Sequence, residues 1–331
     1  MHPALSVIVF TVLSGIGYGM LFWLAVNAAA GWGDGTGTGP WVSDRAFGIA
    51  AFGLAFATIV AGLLSSTLHL GHPERAWRAF SQWRSSWLSR EGVASVFTFV
   101  PTGLFAIGWI LFGRADGLWV VVGIAGAGLC LATVYCTAMI YASLKPVPAW
   151  NTDQVPVLYL LFSLGSGGIW LAALRHVFEI PPGFSDEWVP VVLILAFLLK
   201  LHYWHWIDGG RTDGIRFFGR PNFPAISSAI GVPSEAVRPL DEPHTQQNYL
   251  MKEMGFVVAR RHVRKLRAIA LVLWVIAVVA SFIQSDGGLL VTVAALVGAL
   301  AMTAGLLIER WLFFAEAKHT VMLYYRDNGV R

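Results

Sequence analysis

A short polar stretch, residues 69–91, carries the side chains best suited to chemistry. It opens with His69 and closes with Glu91. Between them lie His72, Glu74, Arg75, Trp77 and Arg78. An imidazole or a carboxylate can pass protons near neutral pH, and aromatic walls can hold an apolar ring. Because quinone chemistry at a membrane edge needs such a set, this stretch is a candidate quinone site.

A second interpretation fits the same residues. Gly71 and Pro73 are typical of a helix that ends, and Arg and Trp side chains anchor helix ends at the membrane surface. From the residues alone, both interpretations stay open.

The elements that must position this stretch are membrane helices. The chain is 56% hydrophobic and only 13% charged, whereas a soluble domain carries about 25% charged residues. Several apolar runs reach the roughly 20 residues that span a bilayer. We expect an all-α, polytopic integral membrane protein whose eight transmembrane helices form a bundle, at about 5–30, 46–70, 92–113, 118–144, 156–176, 188–207, 267–284 and 288–314.

The chain is predicted to be one membrane domain, residues 1–331. Its only long polar segment, residues 208–266, is rich in Pro, Gly and Arg. It is short for an independent domain, so we interpret it as a cytoplasmic loop that docks a partner.

Basic residues predict the orientation. With eight spans, one side of the membrane receives 20 of the 23 Lys and Arg residues, and the other receives only Arg45, Arg114 and Arg175. Leaving out the long loop with its helix ends still gives 9 against 3. Since basic residues concentrate in cytoplasmic loops, both termini and the stretch 69–91 are predicted to be cytoplasmic.

Ionisable residues are sparse within the predicted spans. The midplane looks nearly empty of them, and the exceptions stand close to helix ends: Lys200, His202, His205, Glu309, Arg310 and His319. Intramembrane charge is costly and usually functional. By the predicted topology these residues all approach the cytoplasmic face.

The sequence resembles a known family, the membrane-anchor subunits of the dimethyl-sulfoxide-reductase type. The resemblance is carried by Leu68-His69-Leu70-Gly71 with Pro73, Arg75 and Ala76, followed by Leu88-Ser89 and Glu91. A weaker echo is Arg310 with Phe313-Phe314 in the last helix, where the family has Arg followed by Phe-Tyr. The eight-helix plan covers the whole sequence except 208–266, which looks like an insertion.

This resemblance implies a subunit that passes electrons between the quinone pool and an iron–sulfur subunit. His69 would hydrogen-bond or protonate a quinone oxygen, Glu91 would relay protons, and Arg75 would steer the head group or bind the partner. The surrounding residues would support them: His72, Glu74, Trp77 and Arg78. Ubiquinone and menaquinone both remain open as the quinone.

The resemblance also implies partners. Molybdopterin and iron–sulfur clusters are expected only in the other two subunits of a heterotrimer, because this chain has no cysteine cluster and no expected metal site. Nucleic acid is not an expected partner. The chain itself would not catalyse the reaction at molybdenum.

Orientation separates two branches of the family. In the respiratory sulfoxide-reductase branch, the equivalent turn and the catalytic subunits face outward and quinol is oxidised. Here the basic residues favour the cytoplasm-facing sulfite dehydrogenases, which deliver electrons to quinone. We therefore expect a sulfite:quinone dehydrogenase anchor in the cytoplasmic membrane of a bacterium, with the catalytic partners on the cytoplasmic face.

Two rival interpretations remain. His202 and His205 are three apart on one helical face, and with His69 at the same depth they could ligate haem b. A small-solute transporter is the other rival, because Gly165, Gly167 and Gly168 interrupt one predicted helix, although small residues also permit close helix packing.

Overall fold

The computed structural model describes residues 4–32, 40–68, 72–208, 231–233, 258–283 and 288–319 of the 331-residue protein. Within these ranges the regular structure is helical and no strand occurs. The helices are α1 (Leu5–Trp32), α2 (Pro40–Ser43), α3 (Arg45–Thr67), a 3₁₀-helix (Pro73–Gln82), α4 (Trp87–Phe112), α5 (Leu118–Ala142), α6 (Gln154–Val177), α7 (Phe184–Asp208), α8 (Val258–Ser281) and α9 (Leu289–Ala315).

Each of the eight predicted long helices has a counterpart. Six of them are long and apolar enough to cross a membrane: α1, α3, α4, α5, α6 and α9. The other two carry more charge, since α7 holds Asp186, Glu187 and Lys200, and α8 opens with Val-Ala-Arg-Arg-His-Val-Arg-Lys. The described part of the protein is thus an all-helical membrane protein.

Two helix boundaries differ from the prediction in ways that matter for function. The helix predicted from 92 begins at Trp87, so Glu91 lies inside α4, and the Ser86 hydroxyl caps its start by accepting from the Ser89 N–H at 3.4 Å. The helix predicted from 267 begins at Val258, nine residues earlier. Arg, Lys, Leu and Ala all favour helix, but hydropathy counts such a basic segment as loop.

Helix α1 lies at the centre of the bundle and packs against α3, α5 and α6. Its contact with α6 depends on small residues. A Cβ added at Gly19 would lie 1.9 Å from the Ser163 carbonyl oxygen, and one at Gly167 would lie 2.3 Å from Gly19 backbone. The glycines of α6 therefore permit close packing here.

The turn between α6 and α7 is held by a buried ion pair. Arg175 Nε lies 3.0 Å from Asp186 Oδ1. The same guanidinium donates to the Ile180 carbonyl at 2.9 Å and contacts His176 Nε2 at 2.8 Å, while Asp186 Oδ2 accepts from the Gly183 N–H at 2.9 Å. Asp186 lies at the start of α7, whereas Lys200 and Asp208 lie toward the other end of that helix. We call the Arg175–Asp186 pair with its backbone hydrogen bonds the lock.

Candidate functional site

The segment between α3 and α4 is an exposed polar turn. His72 Nδ1 lies 3.0 Å from Glu74 Oε1, and Arg75 Nε lies 3.7 Å from the same oxygen. All three side chains are exposed. Because exposed ion pairs contribute only about 0–1 kcal/mol to stability, this group is better suited to contacting another molecule than to holding the fold.

Arginine and tryptophan alternate along the same turn. The Arg78 guanidinium lies 5.7 Å from the Trp77 ring, that of Arg84 5.3 Å from Trp83, and that of Arg90 4.3 Å from Trp87. Trp77 is 66% exposed and Trp83 is 51% exposed. Exposed Trp rings, each in contact with an Arg guanidinium, therefore cover this turn. Such an arrangement suits a membrane interface or the binding of an apolar ring.

Glu91 differs from the rest of the turn because it is buried. It occupies the second turn of α4, four residues before Ser95, so both residues share one helical face. The Ser95 hydroxyl is 2.8 Å from the Glu91 carbonyl oxygen and 3.3 Å from Glu91 Oε1. Tyr18 of α1 lies beside this pair. A buried carboxylate with adjacent hydroxyls can accept and release a proton.

The structure brings some of the predicted site residues together and separates others. His72, Glu74 and Arg75 form one exposed group, and Arg78 pairs with Trp77. Glu91 stands apart from them in the bundle. His69 lies outside the described residues, so its predicted role remains a prediction.

A buried charged cluster in the interior was not predicted. Glu309 and Arg310 of α9 and Lys200 of α7 are each at most 4% exposed. Glu309 forms an ion pair with Lys200, and its second oxygen lies 3.0 Å from Arg310 Nε. The sequence placed these three residues toward helix ends, and Lys200 is eight residues from the end of α7 and Glu309 six from the end of α9. Their burial and their pairing between helices were not predicted.

Aromatic rings surround this cluster. The Arg310 guanidinium lies 3.9 Å from the Tyr159 ring centroid, and Lys200 Nζ lies 4.2 Å from that of Tyr203. Each such contact stabilises a desolvated cation by about 2 kcal/mol. In the sequence, the cluster is visible only as three charged residues within apolar helices. A hydropathy average hides such residues among their neighbours, and it does not predict which helices are in contact.

A polar cavity lies beside Arg310, between α1, α5, α6 and α9. Its hydroxyl lining comes from Thr11, Ser14, Thr137, Tyr159, Ser163 and Ser166. The cavity is large enough for a water molecule, and several hydroxyls line it to bind one. Arg310 therefore borders a small cavity within the bundle, lined by hydroxyls and by apolar side chains.

The two histidines considered as haem ligands do not face the interior. His202 and His205 are both exposed on α7, whereas Tyr203 and Trp204 between them are buried. This geometry does not favour a haem held between them and the bundle.

Comparisons with known proteins agree with the motif in the turn. The profile of the family described as DMSO reductase anchor subunit (DmsC) matches residues 1–315. The C subunit of the sulfite dehydrogenase of Allochromatium vinosum is 31% identical over 347 aligned positions, which is 99% of each of the two proteins. The third subunit, C, of the anaerobic dimethyl sulfoxide reductase of Escherichia coli (strain K12) is 29% identical over 145 positions, 42% of this protein and 48% of that one.

No solved structure matches the protein significantly. The family match nevertheless covers nearly the whole sequence and confirms the resemblance carried by the motif. The chain belongs to the family of DMSO reductase anchor subunits.

Proposed function

We propose that this protein is the membrane anchor and quinone-reactive subunit of a molybdopterin and iron–sulfur oxidoreductase. It passes electrons between the quinone pool and an iron–sulfur subunit, and a molybdopterin subunit is the third member of the heterotrimer. The observation that carries the proposal is Glu91, a buried carboxylate in the helix that follows an exposed Arg- and Trp-rich turn, in a member of the anchor family.

The division between exposed turn and buried carboxylate suits quinone chemistry. A quinone is apolar except for its two oxygens, so its ring fits among Trp side chains while its head group needs donors. Arg75 attracts the head group, His69 donates to a quinone oxygen, and Glu91 carries protons to or from it. Quinone reduction takes up two electrons and two protons, and Glu91 supplies a route for the protons.

We further propose that electrons flow from sulfite to quinone. Similarity over 99% of the sequence to the C subunit of a sulfite dehydrogenase supports this direction. The distribution of Lys and Arg supports eight spans with both termini in the cytoplasm, and therefore catalytic partners on the cytoplasmic face of a bacterial inner membrane. The stretch 208–266, whose last residues form the basic start of α8, is proposed to dock those partners.

The test compares two acceptors in the purified complex. His69→Leu and Glu91→Gln are each assayed for sulfite-driven reduction of a water-soluble quinone analogue and of a dye that takes electrons directly from the partner subunits. We expect the quinone rate to fall about 100-fold, with the dye rate unchanged. Glu187→Gln is the matched control, since Glu187 is an exposed carboxylate at the start of α7.

Unchanged quinone rates in both variants would place the quinone site elsewhere. The orientation is tested separately with a reporter fused after Arg331. Activity of a reporter that functions only outside the cytoplasm would contradict it.

A further inference from the structure

The buried cluster is the inner half of a longer series of charges on α7, α8 and α9. Starting at the α7 end, negative and positive side chains alternate. We call this series the charge ladder, and its members in order are Asp208, Arg267, Glu316, Lys200, Glu309 and Arg310. It contains three carboxylates and three cations, so its net charge is zero.

Four of the five steps of the ladder are ion pairs. Arg267 Nη1 is 2.6 Å from Asp208 Oδ2, and Arg267 Nη2 is 3.0 Å from Glu316 Oε2. Glu316 lies within electrostatic range of Lys200. Lys200 pairs in turn with Glu309.

The ladder runs from the surface into the interior. The Asp208 side chain is 60% exposed, those of Arg267 and Glu316 are 13% and 11% exposed, and that of Lys200 is 2% exposed. Lys200 precedes the end of α7 by eight residues, which is about 12 Å of helix. Burial raises the pKa of the Glu316 carboxyl, although Arg267 opposes this, so protonation of a group near the mouth of the ladder is made easier.

The inner end of the ladder approaches the proposed quinone site. Arg310 borders the polar cavity, which can hold water, and stacks on Tyr159. Tyr141 of α5 lies within electrostatic range of Arg310, Tyr159 and Glu91. Tyr141 is thus close enough to both Arg310 and Glu91 to feel the charge of each.

If the ladder only joined three helices, the free energy needed to desolvate its charges would bring no advantage over apolar packing. Replacing a buried ion pair by well-packed apolar groups is often neutral or stabilising, and charges inside a membrane are usually functional. Arginine does not deprotonate in proteins, so Arg267 and Arg310 are fixed charges. The groups that can exchange a proton are Glu316, Lys200, Glu309 and the cavity-lining Tyr159.

We propose that the charge ladder is a proton path that joins the aqueous face at Asp208 to the internal cavity and supplies Glu91. This inference rests on the proposed quinone reaction, because that reaction consumes the protons. The ladder thus assigns a function to Lys200, Glu309 and Arg310, which the turn motif does not include.

Each step of the path conserves charge and protons. The proton on Lys200 Nζ moves to Glu309 Oε1, and the N–H bond breaks as the O–H bond forms. The resulting neutral amine and carboxylic acid are tolerated in a medium of low dielectric. Glu309 then releases the proton to a water molecule on the side of Arg310, which borders the cavity. Lys200 takes another proton from the Glu316 side, which is replenished from solvent.

The test uses the whole complex and a double variant, Lys200→Met with Glu309→Gln. It removes one cation and one carboxylate together, so the local net charge is unchanged and Arg310 keeps an oxygen acceptor. We expect sulfite-driven reduction of the quinone analogue to fall about 10- to 100-fold, with a larger solvent deuterium isotope effect and an unchanged dye rate. The single variant Glu309→Gln should fall in the same way where it assembles.

Asp186→Asn is the matched control, because it removes the carboxylate of an equally buried ion pair at the other end of the bundle. A ladder variant that matches this control in quinone rate and isotope effect would overturn the proton path. Loss of the dye rate together with the quinone rate would likewise reduce the ladder to a structural role. A wild-type complex that reduces the dye but not the quinone analogue would instead refute the proposed function, and the proton path with it.

Discussion

Each end of the bundle contains a buried ion pair, but the two pairs differ in the additional hydrogen bonds that their side chains form. At the α6–α7 turn, Arg175 and Asp186 also bond the backbone, through the Ile180 carbonyl and the Gly183 N–H. At the inner end of the ladder, Glu309 contacts only cations among the described residues, and no hydroxyl or backbone N–H donates to it.

This difference indicates a structural role for the Arg175–Asp186 pair and a role in proton transfer for the Lys200–Glu309 pair. Backbone hydrogen bonds fix both partners of the Arg175–Asp186 pair in one geometry and one charge state. Lys200 and Glu309 hold each other without such bonds, beside aromatic rings and near a polar cavity. Their protons can move without breaking a turn.

The largest expected effect is at the lock. Arg175→Met should lower the free energy of unfolding by about 3–5 kcal/mol, because it removes the cation that lies against the buried Asp186 carboxylate. Adding Asp186→Leu should not restore stability, since the Ile180 carbonyl and the Gly183 N–H lose their partners at about 1–3 kcal/mol each. Thermal unfolding in detergent measures both variants, and full recovery in the double variant would contradict the backbone's part in the lock.

At the ladder we compare a single and a double variant in the same way. Here we expect the double variant to recover the stability that the single variant loses. Glu309→Gln alone should also cost about 3–5 kcal/mol, because it removes the carboxylate that lies against two buried cations, Lys200 and Arg310. Adding Lys200→Met should recover stability to within about 1 kcal/mol of wild type, since no backbone group depends on this pair. If the double variant unfolds as early as the single one, the two ends are held alike and the comparison fails.

The ion pairs of the lock and the ladder could not be predicted from the sequence, because they depend on which helices are in contact. Hydropathy locates helices, and apart from the early starts of α4 and α8 it placed their ends within about four residues. It does not say which helices touch. Lys200 and Glu309 are on different helices, and their pairing follows from how α7 packs near α9. Asp186 was hidden in the same way, at the start of a helix predicted to begin at 188.

The turn was more predictable because its residues are close in sequence. A local motif predicted the family, which is confirmed, and predicted roles for Arg75 and Glu91, which stay predictions. The burial of Glu91 could not be read from the motif, because it depends on α4 beginning at Trp87 and on Tyr18 arriving from α1. The role of His69 remains a prediction.

Glu91 offers an intermediate case, a buried carboxylate whose neighbour is a hydroxyl. Ser95→Ala removes the contact at 3.3 Å from Oε1. Losing one hydrogen bond of about 0.5–1.5 kcal/mol should slow quinone reduction about 2- to 10-fold. Thr102→Val is the control on the same helix, since its hydroxyl bonds only the Thr98 carbonyl. Equal rates in the two variants would show that Ser95 does not assist Glu91.

The smallest effect is expected at an ion pair that is exposed instead of buried. Arg114 Nε lies 3.0 Å from Asp116 Oδ1, in the loop between α4 and α5. The hydrogen bond from Arg114 lowers the pKa of Asp116 below its ordinary value, so the pair stabilises the fold above the unfolded pKa of about 4. That contribution disappears as the pH falls through the lower folded value.

Solvent and salt screen this exposed pair, unlike the two buried ones. Asp116→Asn should therefore leave the unfolding temperature at pH 7 unchanged within error in a thermal melt. A loss at pH 7 comparable with that of Arg175→Met would mean that charge pairing alone, without burial or backbone bonds, stabilises this bundle. The distinction between lock and ladder would then lose its physical basis.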